Sequence, residues 1–162
     1  MIEINHNKIL ESLGCGGYLL TAGNAEKANT LTVSWSGTGV FWNKPVIIVP
    51  IRKSRFTHGF IEQEKQFTIC VLEKEKQHLL HIFGTKSGRD VNKYEISDTR
   101  LADAKQIRGQ IIDEAGWHFE CKVIYQCDMD ITAVDSGIKT GFYSDGDAHT
   151  LYFAEIITAY KL

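Results

Sequence analysis

The feature that most constrains this chain is a ten-residue alternation near its end. In Trp117–Gln126 (WHFECKVIYQ), Trp117, Phe119, Cys121, Val123 and Tyr125 take every second position. A period of two is that of a strand with one face against a core, and it excludes a helix. Two more stretches behave alike. Asn29–Ser36 sets Leu31, Val33 and Trp35 opposite Thr30, Thr32, Ser34 and Ser36, and Thr150–Tyr160 carries Leu151, Phe153 and Ile157 among its apolar residues. Tyr18–Ala22, Val46–Ile51, Phe67–Leu72 and the short Gln110–Asp113 read as further strands. Helical spacing is confined to Asn5–Leu13, Ser54–Gln63 and Lys74–Phe83. Gly37, Gly39 and Trp42–Pro45 read as a turn, and residues 91–106 as loop with a short helix. Long strands between turns and short helices predict a mainly β chain, a barrel with peripheral helices. Alternating βαβ units are absent from the pattern, which disfavours a dinucleotide-binding Rossmann fold. At 162 residues and 43% apolar, the chain is expected to form one domain, residues 1–162, with a proper core.

Chemistry concentrates in two places. In VIIVPIRKSRFTHGF, Val46–Phe60, a β-branched run passes Pro50 into Arg52, Lys53 and Arg55, then turns helix-like at Ser54. A strand-to-helix junction gathers free N–H groups, the hydroxyls of Ser54 and Thr57, and three cations, which is how a phosphate monoester is held. The plainer alternative is a solvated basic turn with Ser54 as N-cap. The second place is the loop GTKSGRD, Gly84–Asp90, where Lys86, Ser87 and Arg89 add charge and a hydroxyl. Its spacing is not that of a Walker loop. Paired with the junction, it supplies a second arm for an anion. The Thr and Ser row of residues 30–36 is either a solvated face or the lining of a polar groove.

Composition removes other classes. The formal net charge is −2, so the basic excess of a nucleic-acid binder is missing and no nucleic-acid partner is expected. No apolar run has the length of a membrane span, so no membrane partner is expected, and MIEINHNKILESLG lacks the pattern of a secretory leader. The expected setting is cytoplasmic. Cys70 and Cys121 read as buried thiols and Cys15, between glycines, as an exposed one; the four cysteines form no CxxC pair. His78 and His81 stand three apart without a third ligand, so no metal site is expected. Asp128, Asp130, Asp145 and Asp147 read as solvated loop residues, and His149 as a candidate active-site group.

Taken together, NTLTVSW (Asn29–Trp35), WNKP (Trp42–Pro45), RKSRFT (Arg52–Thr57), GTKSGRDVNKYE and the closing GDAHTLYFAEI resemble the flavin reductase-like family of FMN-binding split barrels, which includes the flavoredoxins. The match runs through nearly the whole chain in order. Leu31, where a Met is usual, and Ala148, where an aromatic is common, depart from the pattern. The resemblance implies a six-stranded antiparallel Greek-key split β-barrel with short peripheral helices, a homodimer, and FMN near the subunit interface. By position, Ser54 and Thr57, with Arg52 or Arg55 and Lys86, would hold the phosphate. Asn29, Thr30, Thr32, Ser34 and Trp35 would meet the ring and ribityl chain, with Val33, Phe56, Ser87 and Arg89 in the same motifs completing the cofactor site. Trp35 is assigned to the flavin by its motif, and Trp42 to barrel packing, because large aromatics dominate cores.

Two functions follow. One is an oxidoreductase that passes electrons from NADH or NADPH, or from a redox partner, through bound FMN to a free flavin or small acceptor. The other is a non-catalytic FMN-binding carrier or flavin store. In either, the reaction is the flavin's and the protein supplies hydrogen bonds and charge.

Overall fold

Two long strands form the spine of the structure, a computed structural model that describes residues 5–161. They are β8 (Trp117–Asp128) and β9 (His149–Tyr160), antiparallel along most of their length. Before them come α1 (His6–Gly14), β1 (Tyr18–Gly23), β2 (Ala28–Val33), β3 (Gly37–Phe41), β4 (Lys44–Arg52), α2 (Phe56–Glu64) and β5 (Gln66–Val71). Then follow α3 (His78–Thr85), α4 (Lys93–Ser97), β6 (Leu101–Asp103) and β7 (Gln110–Ile112), and α5 (Ser136–Phe142) lies between β8 and β9. Seven strands make one antiparallel sheet in the order β2-β1-β5-β8-β9-β4-β3, and β6 pairs with β7 alone. The opening Met1–Ile4, part of the leader reading, lies outside the described residues. No helix among the described residues is long and apolar enough to cross a membrane.

The sheet is rolled. Val33 of β2 and Ile47, Val49 and Ile51 of β4 sit near opposite ends of the strand order, yet they share one buried cluster with Leu20, Ile69, Phe119 and Tyr152. Residues from both ends can meet only if the sheet curls onto its own inner face, which is the split barrel. A second cluster of Leu19, Cys70, Leu79, Phe83, Ile111 and Ile112 lies behind β1 and β5. Those two strands are therefore buried on both faces, which explains the unbroken apolar run Phe67–Leu72.

Several details depart from the sequence reading. Gly37–Phe41 is a strand, not a turn, so the sheet has seven strands rather than six. The turn shrinks to Trp42 and Asn43, both at positive φ (51° and 58°), as a two-residue hairpin requires. Trp42 is therefore not barrel packing; it is 60% exposed at the hairpin tip. In β8 the alternation is broken by register shifts between Glu120 and Cys121 and between Val123 and Tyr125, so Tyr125 is exposed while Cys121 is buried. In β9 the inward residues are Tyr152, Ala154 and Ile156, with Phe153 on the outer face. Residues 74–83 split into a 3₁₀ turn, Lys74–Lys76, and α3. The polar stretch after Asp90 is anchored by Glu120, a buried carboxylate that accepts from the N–H groups of Lys105, Gln106 and Ile107 and from Tyr160. His78 and His81 are both exposed.

Candidate functional site

The site is built on β2, a strand with a partner on one side only among the described residues, where β1 is its neighbour in the sheet. Lys93 of α4 donates through Nζ to the carbonyl oxygen of Thr30. In an antiparallel ladder a residue's N–H and C=O point the same way, so the N–H groups of Thr30 and Thr32 face that open edge too. Against the edge lie two adjoining clefts.

The first, about 180 Å³, lies between β2, the start of α2 and the loop after α3. Arg55, Lys86, Arg89 and Lys93 line it, and no carboxylate among the described residues does. Thr57 is buried at the first turn of α2, where no side chain caps the helix, and its hydroxyl accepts from Asn29 Nδ2 at 2.6 Å. Open N–H groups at a helix start add partial positive charge to the four cations. The loop is pressed onto the strand at Gly88, where a Cβ would stand 2.1 Å from Asn29 Oδ1. Arg89 donates to Ser54 O at 2.9 Å and lies 5.1 Å from the centre of the Phe56 ring, while Ser87 accepts from the Arg89 N–H at 3.2 Å. Lys93 is 3% exposed, and its neighbours are the carbonyls of Thr30 and Phe83. Burial, with Arg55 nearby, lowers its ammonium to about 8.

The second cleft, about 300 Å³, shares Leu31, Thr32 and Arg55 with the first and continues along Val33, Ser34 and Trp35. Its far wall is aromatic: Phe142 meets Trp35 edge-on at 5.1 Å between ring centres, and His149 lies at 5.6 Å. His149 is buried with Nδ1 at 2.9 Å from the Tyr143 hydroxyl. Burial first, then the Arg52 charge, hold its pKa below the ordinary imidazole value. Arg52 ties this wall down by donating to Phe142 O (2.6 Å) and Asp147 O (2.8 Å).

Of the residues marked from sequence, Asn29, Thr32, Ser54, Arg55, Phe56, Thr57, Lys86, Ser87 and Arg89 line the first cleft, and Thr32, Val33, Ser34, Trp35, Arg52 and Arg55 the second. Thr30 lines neither; its side chain is buried between Thr21 and Tyr94. The Thr row is thus no solvated face, since Thr32 also donates to Leu80 O at 2.6 Å. Arg52 lines only the second cleft. Ser54 precedes the helix, whose N-cap is Arg55, and gives its hydroxyl to Asp147 Oδ2 at 2.6 Å. Asp147 is not a free loop carboxylate: it is half-buried against Ser54 and Arg52. Asp145 and Asp128 are paired as well, with Arg52 and Lys53. Sequence reasoning missed Lys93, Asp147 and Phe142. Lys93 lies inside the quoted GTKSGRDVNKYE motif, yet no local pattern marks a lysine as buried.

A rolled antiparallel sheet with these clefts along its β2 edge has the architecture of the flavin reductase-like split barrels. The chain belongs to the flavin reductase like domain family, whose model matches residues 10–161. It is 28% identical over 140 residues to a protein of Archaeoglobus fulgidus, covering 86% of this chain and 68% of that one. It is 33% identical over 97 residues to a high molecular weight rubredoxin of Moorella thermoacetica, covering 59% of this chain and 42% of that protein. The chain thus spans about two thirds of the first relative and less than half of the second. Among solved structures, flavoredoxin from Methanosarcina acetivorans superposes with a TM-score of 0.71 at 21% identity, covering 90% of this chain and 67% of that one. Flavoredoxin of Desulfovibrio vulgaris gives 0.70 at 18%, covering 90% and 68%. At such identities the superpositions establish the fold.

Proposed function

We propose that the two clefts hold one FMN and that the chain is a flavin-dependent oxidoreductase of flavin reductase type. The observation that carries this is their continuity: a pocket with four cations and no carboxylate opens directly into one walled by Trp35, Phe142 and His149. A phosphate dianion fits the first by charge and by the donors at the start of α2. A flat heteroaromatic ring fits the second, where apolar walls stand beside outward strand N–H groups. Bound FMN would supply the hydride and electron transfer itself. Arg55, Lys86, Arg89 and Lys93 would neutralise the phosphate, Thr57 and Asn29 would fix its position, and the open edge of β2 would orient the ring. His149, with Nδ1 at the Tyr143 hydroxyl, would be the imidazole this cleft offers for holding a proton.

The electron donor in this reading is NADH or NADPH, and the acceptor a free flavin, a small molecule or a redox protein. Likeness to a high molecular weight rubredoxin supports a redox partner, and a solved neighbour from Streptomyces globisporus described as an NADH:FAD oxidoreductase supports the nicotinamide donor. Four free cysteines suit a reducing, cytoplasmic setting. We also infer a homodimer, supported by the exposed Phe41, Trp42 and Tyr125 packed about Phe153.

Anaerobic mixing of the FMN-loaded protein with NADH, and separately with NADPH, tests the reading through the flavin absorbance. Rapid bleaching with either is the expected result. A flavin that stays oxidised points to the carrier. A colourless protein that takes up no added FMN overturns both.

A further inference from the structure

The connection between β8 and β9 supplies Phe142 to the aromatic cleft, and it has little hold of its own. Its base is closed where the Met129 N–H donates to His149 O at 2.9 Å. Beyond the base, among the described residues 131–148, only Tyr143 is buried, and α5 buries no side chain. A long segment without a core belongs to the part of a fold that opens locally.

Its side-chain attachments to the sheet converge on the end of β4. Arg52, whose side chain is 19% exposed, donates to the carbonyls of Phe142 and Asp147. It also pairs with Asp145 Oδ1 at 3.4 Å and Asp147 Oδ2 at 3.7 Å, and its guanidinium lies 5.4 Å from the centre of the Tyr143 ring. Ser54 adds its hydroxyl and its N–H, at 2.6 and 3.3 Å, to the Asp147 carboxylate. A planar guanidinium, with its donors in a fixed fork, can hold carbonyls and carboxylates at once. The cations of the neighbouring cleft are placed differently. Arg55, Lys86, Arg89 and Lys93 have no carboxylate partner among the described residues, so they stay available to an anion, while the Arg52 charge is met within the connection.

What Arg52 holds is a wall of exposed rings. Phe142 and Trp35 meet at 5.1 Å between ring centres, yet they are 48% and 43% exposed. They bound the cleft on its solvent side without belonging to a core. We propose that Arg52 is a positioning residue for the ring cleft rather than a phosphate ligand: it latches the β8–β9 connection so that Phe142 covers the flavin ring, and a planar electron donor or acceptor reaches the ring where Phe142 moves aside. This rests on the flavin reading of the two clefts.

Two measurements test it. Lys139 is the only lysine or arginine between Met129 and His149, and it is exposed on α5. Tryptic cleavage after Lys139, followed by mass spectrometry on the flavin-free protein, therefore reports opening of the connection. Arg52→Gln should speed that cleavage about tenfold, because cleavage tracks the open fraction. Dissociation constants for FMN and for riboflavin, which lacks the phosphate, separate ring from phosphate. Arg52→Gln should weaken both by the same factor, within about twofold, whereas loss of a phosphate ligand would weaken FMN about tenfold more than riboflavin. Phe142→Ala changes an exposed residue, so it should fold; it should likewise weaken both flavins equally, and it carries the test if Arg52→Gln does not fold. An unchanged cleavage rate, or a loss confined to FMN, would overturn the assignment. So would a Phe142→Ala protein that binds riboflavin like wild type. If wild type binds neither flavin, the flavin reading has failed, and the cleavage rate alone decides whether Arg52 holds the connection.

Discussion

Lys93 is the residue whose chemistry the fold changes most. It is enclosed by main-chain carbonyls, with a further cation, Arg55, as charged neighbour, so burial and like charge both oppose its protonation. An anion in the cationic cleft reverses that balance, and linkage fixes the direction. Protonated Lys93 attracts the anion, and in the free protein it loses its proton near pH 8. Anion affinity should hold at pH 7 and fall as the pH rises through that value. Titrating wild type and Lys93→Met with FMN from pH 7 to 9.5 checks this. The variant should bind about tenfold more weakly at pH 7, as loss of one charge-assisted contact of ~1.5 kcal/mol implies, and the gap should narrow above pH 8. A gap that stays constant would mean Lys93 acts only through packing. The sequence exposed Arg52, Lys86 and Arg89 as charges but not which of them face the same space. Lys93 and Asp147 were illegible because the burial of the one against Thr30 and the pairing of the other with Ser54 depend on residues 63 and 93 positions away.

At the scale of elements, strand positions were legible wherever one face is buried and the other is not. They were legible too at Phe67–Leu72, whose apolar run marks burial on both faces, and failed at β3. The hairpin of β3 and β4 was hidden because Gly37 and Gly39 weaken the strand pattern, and its outer face is aromatic rather than polar. Trp42 there adopts a left-handed conformation that costs a bulky residue about 1 kcal/mol, while its ring packs near Phe41, Tyr125 and Phe153 at 5.8–6.3 Å. A strained turn that presents an exposed indole fits selection for a contact surface better than for folding. Trp42→Asn gives the turn a residue that accepts positive φ. The monomer should melt no lower than wild type, while sedimentation velocity should show the dimer dissociating at protein concentrations where wild type stays paired. An unchanged association constant would remove this face from the proposed interface, and a wild type that sediments as a monomer would remove the dimer.

For the whole molecule, the order of strands was beyond local reading, because β1 pairs with both β2 and β5 and the roll is decided by pairings far apart in sequence. The strand pattern reached a β-barrel with peripheral helices; the resemblance carried its split Greek-key form. One consequence of having two cores back to back is that β8 must bury side chains on both faces. Phe119 enters the first cluster, while His118 is turned the other way, fully buried, with Nδ1 3.4 Å from Cys70 Sγ and its ring stacked on Tyr160. Its Nε2 is buried without a hydrogen-bond partner among the described residues. Burial therefore lowers its pKa to about 4. The unfolded chain takes up this proton near pH 6.5 and the folded chain only near 4, so between these values the unfolded state binds more protons. Stability must fall as the solution is acidified through that window, by at most roughly 3 kcal/mol from this one group. His58 and His149 are shifted in the same direction, so the test is a difference. His118→Phe keeps a ring against Tyr160 and removes the titration. Urea unfolding at pH 7, 6, 5 and 4.5 should show the wild type losing stability faster than the variant, with most of the divergence below pH 6.5. Parallel losses would mean that His118 takes up its proton without unfolding the sheet, and that the two cores are less tightly joined along β8 than their packing requires.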